Sequence, residues 1–212
     1  MSHLLHETRY LVMKKSYFMR SLNVTIFLLM IALFTLFLVF LSNFLVVSLS
    51  ESDTKLIQQT SNVIKTISVS LSKTGLLSAT VAVLIIAIEM FNRFKIDKIM
   101  NYFKSIYSTM LLRHFLTQTE RTEKVMTIET QTITTYNPVN NTFNRAVSKC
   151  VVDIRQDFVT IFIKTPSKQQ AQKLLKEMES QIKEEIANRN PDYYFSAPIR
   201  TKNALWFEGK RR

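Results

Sequence analysis

Leu22 to Ser50 reads LNVTIFLLMIALFTLFLVFLSNFLVVSLS, 29 residues without one Asp, Glu, Lys, Arg, His or Pro. A helix that crosses a bilayer needs about 20 mostly apolar residues at about 1.5 Å of rise each. This run is long enough to span with residues to spare. The competing assignment is a buried helix of a soluble domain. That helix would need a large surrounding core, and the rest of the chain is too short and too polar to supply it. The stretch predicts a membrane protein.

Four basic residues, Arg9, Lys14, Lys15 and Arg20, precede the run. A secretory signal also opens on positive charge, but its apolar core is about 7–15 residues and ends in a small-residue cleavage pattern. Neither feature is present, so an uncleaved anchor is expected. Residues 51–73 are polar with a minor periodicity (Leu56, Ile57, Val63, Ile64, Ile67) and read as a loop or a helical extension. Gly75 to Phe91, GLLSATVAVLIIAIEMF, is the second candidate span. An acid inside a span is a functional-site hypothesis by default. Glu89, however, lies within a turn of Arg93, and a residue at the membrane interface paired with Arg93 or Lys95 is the simpler reading. Glu89, Arg93, Lys95 and Lys98 form the expected membrane-interface set.

Basic residues near the span ends set orientation. The N-terminal flank has four and Arg93 to Arg113 has five, whereas the segment between the spans has three, Lys55, Lys65 and Lys73. Both termini are therefore expected in the cytoplasm. The expected localisation is the inner (plasma) membrane of a bacterium, multi-pass.

The 212 residues leave room for this membrane unit and one small domain. The net charge is +12, and from Arg93 onward 21 basic residues face 12 acidic ones. Such an excess suits anionic lipid or nucleic acid and chooses neither. A single cysteine, Cys150, rules out an intramolecular disulfide and a cysteine metal cage. Two glycines, Gly75 and Gly209, cannot write a glycine-rich phosphate loop. Three histidines include no H-E-x-x-H pair. No catalytic residue, cofactor or metal is expected, and the chain reads as a non-enzyme.

From Arg93 to about Thr119 the pattern is helical and basic: Ile96, Ile99, Phe103, Ile106 and Met110 recur at three- and four-residue steps. The helix reads as a stalk with subunit contacts along it. A helix lying on the inner leaflet and a short coiled coil are the alternatives. The remainder reads as a compact domain. Val125 to Tyr136 alternates with β-branched residues, as a strand does, and NPVNNT (137–142) breaks it with turn formers. Arg145 to Gln156 alternates again, with Ala146, Ser148, Cys150, Val152 and Ile154 on one face, and hairpins onto FVTIFIK (158–164). Thr165 and Pro166 open a helix as cap and first residue. Its stripe is Ala171, Leu174, Leu175, Met178, Ile182 and Ile186, and Asn190-Pro191 ends it. Two aromatic strands close the chain.

The expected fold class is α+β: a two-helix transmembrane hairpin, a helical stalk and a small cytosolic antiparallel-sheet domain in the order β-β-β-α-β-β. The expected boundaries are 1–20 for a basic cytosolic segment, 21–92 for the hairpin, 93–121 for the stalk and 122–212 for the domain.

Three candidates for chemistry stand out. Cys150 falls on the apolar side of a strand with no histidine near in sequence, which reads as a structural thiol. Glu129, Asp153 and Asp157 have no spacing characteristic of a metal site. Arg200, Lys202, Tyr194 and Trp206 lead an aromatic and basic set that could stack a base and hold its phosphates, although a domain this small also needs its rings for a core. The leading functional expectation is an anchor or scaffold subunit of an envelope transfer or secretion machine, a homo-oligomer in the lipid bilayer that docks a cytosolic protein partner. The alternative is a ligand-gated effector that senses a nucleotide or oligonucleotide and perturbs the membrane. A membrane tether for nucleic acid is the third.

Overall fold

The computed structural model describes residues 14–49, 55–94, 97–119, 122–124, 132–134, 137–201 and 203–212. The chain divides into two compact units. One holds residues 14–19 together with Arg93–Arg212, and the other is Arg20–Asn92.

Unit Arg20–Asn92 is drawn from α1 (Tyr17–Leu49) and α2 (Lys55–Phe94), of 33 and 40 residues. At about 1.5 Å per residue these are roughly 50 and 60 Å long, against a hydrocarbon core of about 30 Å. Both helices are long and apolar enough to cross a membrane, and only 11% and 17% of their most apolar windows are buried. Core helices of a soluble protein are mostly buried, so these are not of that kind. Their hydroxyls turn inward on the backbone. Thr35 Oγ1 lies 2.9 Å from both the Ile31 and Ala32 carbonyls, and Ser78 Oγ donates to the Gly75 carbonyl at 2.9 Å. Side-chain polarity is thereby satisfied within an apolar helix. The two helices approach closely where Thr35 meets Gly75, beside a 290 Å³ cleft lined by small residues and by Leu36, Val39 and Leu76. Close backbone approach of this kind is how apolar helices associate without a hydrophobic driving force between them.

The second unit is built on a five-stranded antiparallel sheet. Its strands are β3 (Val151–Ile154), β4 (Phe158–Lys164), β5 (Tyr193–Phe195), β6 (Ile199–Thr201) and β7 (Ala204–Arg211). β7 is central. It pairs along seven residues with β4, from Phe158↔Lys210 to Lys164↔Ala204, and β3 lies beyond β4. On its other side β7 is shared by β5 and β6. Ser196-Ala197-Pro198 separates those two, and Pro198 has no N–H to give a ladder. A small two-stranded ladder, β1 (Thr122–Lys124) on β2 (Thr132–Thr134), is separate.

One face of the sheet presents Val152, Ile154, Val159, Ile161, Ile163, Leu205, Phe207 and Phe195 to the core. Helices α3 (Ile99–Leu116), α4 (Pro138–Val147), α5 (Gln169–Glu177) and α6 (Glu179–Arg189) contribute Leu112, Leu116, Phe143, Val147, Leu175, Ile182 and Ile186 to the same core. On the opposite face Val151, Asp153, Phe162 and Trp206 are buried as well.

Several expectations are corrected. The observed order from β1 is β-β-α-β-β-α-α-β-β-β, an α+β arrangement with a five-stranded antiparallel sheet and a separate two-stranded ladder, and not β-β-β-α-β-β. NPVNNT starts a helix instead of a turn: the Asn137 side chain accepts from the Val139 N–H at 2.9 Å and Pro138 occupies the first position. Ala146 and Ser148 are therefore not strand residues, and β3 keeps only the last part of the expected alternation. Thr165 does not cap α5, which begins three residues after Pro166 with Lys168 as its N-cap. The expected single long helix is two, α5 and α6, divided at Met178. The helix expected as a stalk is part of the sheet-bearing unit, with Leu112 and Leu116 in its core. Most of the strand expected at 125–136, Glu129 included, lies outside the described residues.

Candidate functional site

β4 ends at Lys164, and residues 165–168 then turn into α5. Facing this turn is α4, with Asn141 and Arg145 one helical turn apart, and Lys149 follows in the turn after the helix. Between the two walls lies a cavity of about 480 Å³ lined by Asn141, Thr142, Arg145, Ala146, Lys149, Lys164, Thr165, Pro166, Ser167 and Lys168. Four cations line it and no carboxylate does. Some cations elsewhere in the unit are matched: Lys173 lies 3.9 Å from Glu177, Arg189 pairs with Glu185, and Arg155 lies 3.5 Å from Asp153. Among the described residues no ion pair engages Arg145, Lys149, Lys164 or Lys168.

Two further features mark the cavity. The Thr165 hydroxyl oxygen is buried and makes no hydrogen bond among the described residues, while its backbone N–H donates to the Asn203 carbonyl at 3.0 Å. Lys168, the N-cap of α5, has no capping side-chain hydrogen bond, so the first turn of α5 opens toward the turn with uncapped N–H groups. The positive field extends to Lys15. Burial first, then repulsion from Lys164 and Lys149, holds the Lys15 ammonium below its ordinary value. Its Nζ lies 3.6 Å from the centroid of the Phe162 ring, a cation–π contact that partly offsets this. Chemically the cavity offers hydrogen-bond donors and positive charge, and it can hold an anion.

The residues singled out in the sequence fall in several places. Trp206 is buried at 4% exposure, with its ring 5.1 Å from Phe162 and edge-on to it. Tyr194 is 71% exposed, opposite Lys210 near the far end of β7. Arg200 pairs with Leu205, so it belongs to the sheet face opposite Trp206 and Tyr194, and it sits with Lys173 and Lys176 beside α5. The aromatic and basic set does not come together as one surface. Lys202 and Lys95 lie outside the described residues. Glu89 is buried, and Lys98 is exposed.

Arg93 is fully buried. It donates to Asp153 Oδ1 at 2.5 Å and to the Ile154 carbonyl at 3.1 Å, and lies 3.5 Å from Asp97. The Phe18 and Tyr102 rings flank its guanidinium at 4.9 and 5.7 Å. Asp97 Oδ1 in turn accepts from Lys98 N, Asn101 Nδ2 and Gln156 N. This network joins Arg93 to β3 within the sheet-bearing unit and reads as structural. Cys150 is fully buried in the core, where burial pushes its thiol up to about 12. Asp157 opens no cluster, and among the described residues no group of acids, histidines and cysteines could hold a metal.

The cations of the cavity were not singled out in the sequence. The legible signal is Arg145 and Lys149 four residues apart after the Asn137-Pro138 helix start, masked by the strand-like alternation of the same stretch. Comparison with known proteins finds no matching family model, no matching curated protein and no matching solved structure.

Proposed function

We propose that the chain is a membrane-anchored scaffold: α1 and α2 hold it in a bacterial inner membrane, and the sheet-bearing unit is displayed in the cytoplasm to dock a partner. One observation carries the reading, the apolar exterior of the two helices. Leu33, Leu36 and Phe40 on α1 are 68%, 69% and 69% exposed, and Leu76 and Leu77 on α2 are 71% and 67% exposed. Apolar surface of that extent belongs in lipid or against another chain. The excess of Lys and Arg on the flanks over the connecting segment supports the orientation with both termini inside.

The test uses the full chain. Alkaline carbonate should leave it in the membrane pellet. On a Cys150→Ala background, a membrane-impermeant maleimide added to spheroplasts should label Ser52→Cys and spare Lys210→Cys. Release by carbonate would overturn the anchor, and the reverse labelling would overturn the orientation.

A further inference from the structure

We infer that the cavity between α4 and the β4–α5 turn is a binding site for a small anion carrying two or more clustered phosphate groups. Arg145, Lys149, Lys164 and Lys168 bring four positive charges into one concavity, with no carboxylate among the lining residues. Like charges gathered without a counter-ion repel one another, and a bound anion reverses the sign of that interaction. A phosphate monoester carries about −1.5 to −2 at neutral pH, so two or three phosphates match the four cations.

The turn adds donors suited to phosphoryl oxygens. The buried Thr165 hydroxyl has no partner among the described residues, and a buried polar group left unpaired is costly unless something else pairs it. Ser167 lines the cavity beside it, and the lining ends at Lys168, the N-cap of α5. Three independent features therefore point one way: the cation set, the orphan hydroxyl and the concavity.

The lining also excludes a base. At about 480 Å³ the cavity is in the range of small-ligand sites. Its only apolar walls are Ala146 and Pro166, with no ring for a base to stack on. Recognition is of phosphate charge and oxygen, as in an inorganic polyphosphate, a multiply phosphorylated polyol or a diphosphate lipid headgroup. The anion contact thus lies away from Arg200, Tyr194 and Trp206.

The test is calorimetric titration of the full-length protein, in a neutral detergent, with inorganic triphosphate. Saturable binding is expected, weaker for inorganic phosphate and weaker at higher salt. Arg145→Gln with Lys164→Gln should weaken it roughly ten- to a hundredfold, since each removes a charged hydrogen-bond donor. Lys173→Gln with Lys176→Gln removes the same charge from the neighbouring surface and should leave the affinity within about twofold. Thr165→Val separates ligand binding from folding. It should weaken triphosphate binding while leaving the melting temperature unchanged or higher, because the hydroxyl has no partner to lose. Repeating the titration in phosphatidylcholine nanodiscs, with and without an equal part of cardiolipin, assigns the source. Unchanged affinity identifies a free anion, and loss of triphosphate binding in the cardiolipin discs identifies a lipid headgroup. No saturable binding, an equal loss in the Lys173/Lys176 control, or binding of long single-stranded DNA alone would each overturn the site.

Discussion

The Thr109 hydroxyl accepts a hydrogen bond from the Val152 N–H at 2.9 Å and donates to the Ser105 carbonyl at 2.7 Å. One helical turn earlier Ser105 repeats the arrangement, accepting from the Ile154 N–H at 2.9 Å and donating to the Asn101 carbonyl at 2.7 Å. One turn later Arg113 Nε donates to the Cys150 carbonyl at 2.9 Å. Four helical residues rise about 6 Å and two strand residues advance about 6.6–6.8 Å. Ser105, Thr109 and Arg113 thus keep step with Ile154, Val152 and Cys150. The seam covers the outer edge of β3 with a helix, so the strand offers no free ladder to another chain.

Thr109→Val should cost about 1–3 kcal/mol, because it leaves the Val152 N–H buried without an acceptor while keeping side-chain volume. Thr109→Ser retains the oxygen and should cost less. Chemical denaturation of the detergent-purified protein measures both. Equal losses for the two variants would mean that volume, and not the seam, sets stability there.

Arg93 and Asp153 form a pair with both side chains essentially buried. Removing one member strands the other, so Arg93→Met should destabilise by about 3–5 kcal/mol. Adding Asp153→Leu to Arg93→Met should restore part of that loss. A double-mutant cycle read by thermal unfolding checks this, and additive losses would show that the two residues act independently.

A Cβ at Gly75 would fall inside contact distance of Thr35 Oγ1 and 3.3 Å from Thr35 Cβ. Gly75→Ala should therefore push α1 and α2 apart locally, at about 1–3 kcal/mol. Thr35→Ala removes the obstructing oxygen and should rescue Gly75→Ala. Melting temperatures of the two single variants and the double variant decide the matter, and no rescue would place the strain elsewhere.

The Cys150 thiol, pushed up to about 12 from 9.0 by burial, holds its proton in the folded state over a range where the unfolded chain has lost it. Its contribution is present in full below about pH 9 and falls as pH rises toward about 12. Across that window the unfolding constant should grow up to tenfold per pH unit relative to Cys150→Ala. Maleimide should label the thiol only after denaturation. Rapid labelling of the native protein would contradict the burial.

Helix length and apolar composition are sums over local residues, which is why two helices long and apolar enough to cross a membrane could be read without a fold. The stripe Leu175, Ile182 and Ile186 and the strand FVTIFIK were legible for the same reason: their periods are local. Asn137-Pro138 also carried a local helix-start signal, but the alternation of Ala146, Ser148 and Cys150 competed with it, and that alternation was only partly a strand. Both glycines were visible as scarce, yet their use was not. Each lies where another side chain presses on the backbone, Thr35 at Gly75 and the Phe195 ring at Gly209.

Sequence alone determined that two helices suit a bilayer, that a small α+β unit follows them, and that Cys150 belongs in a core. Only the tertiary structure decided that Arg200 parts from Trp206 across the sheet, that α3 seals β3, and that Arg145, Lys149, Lys164 and Lys168 converge. Those are meetings between elements distant along the chain. They depend on strand register and helix packing, which no single stretch of residues encodes.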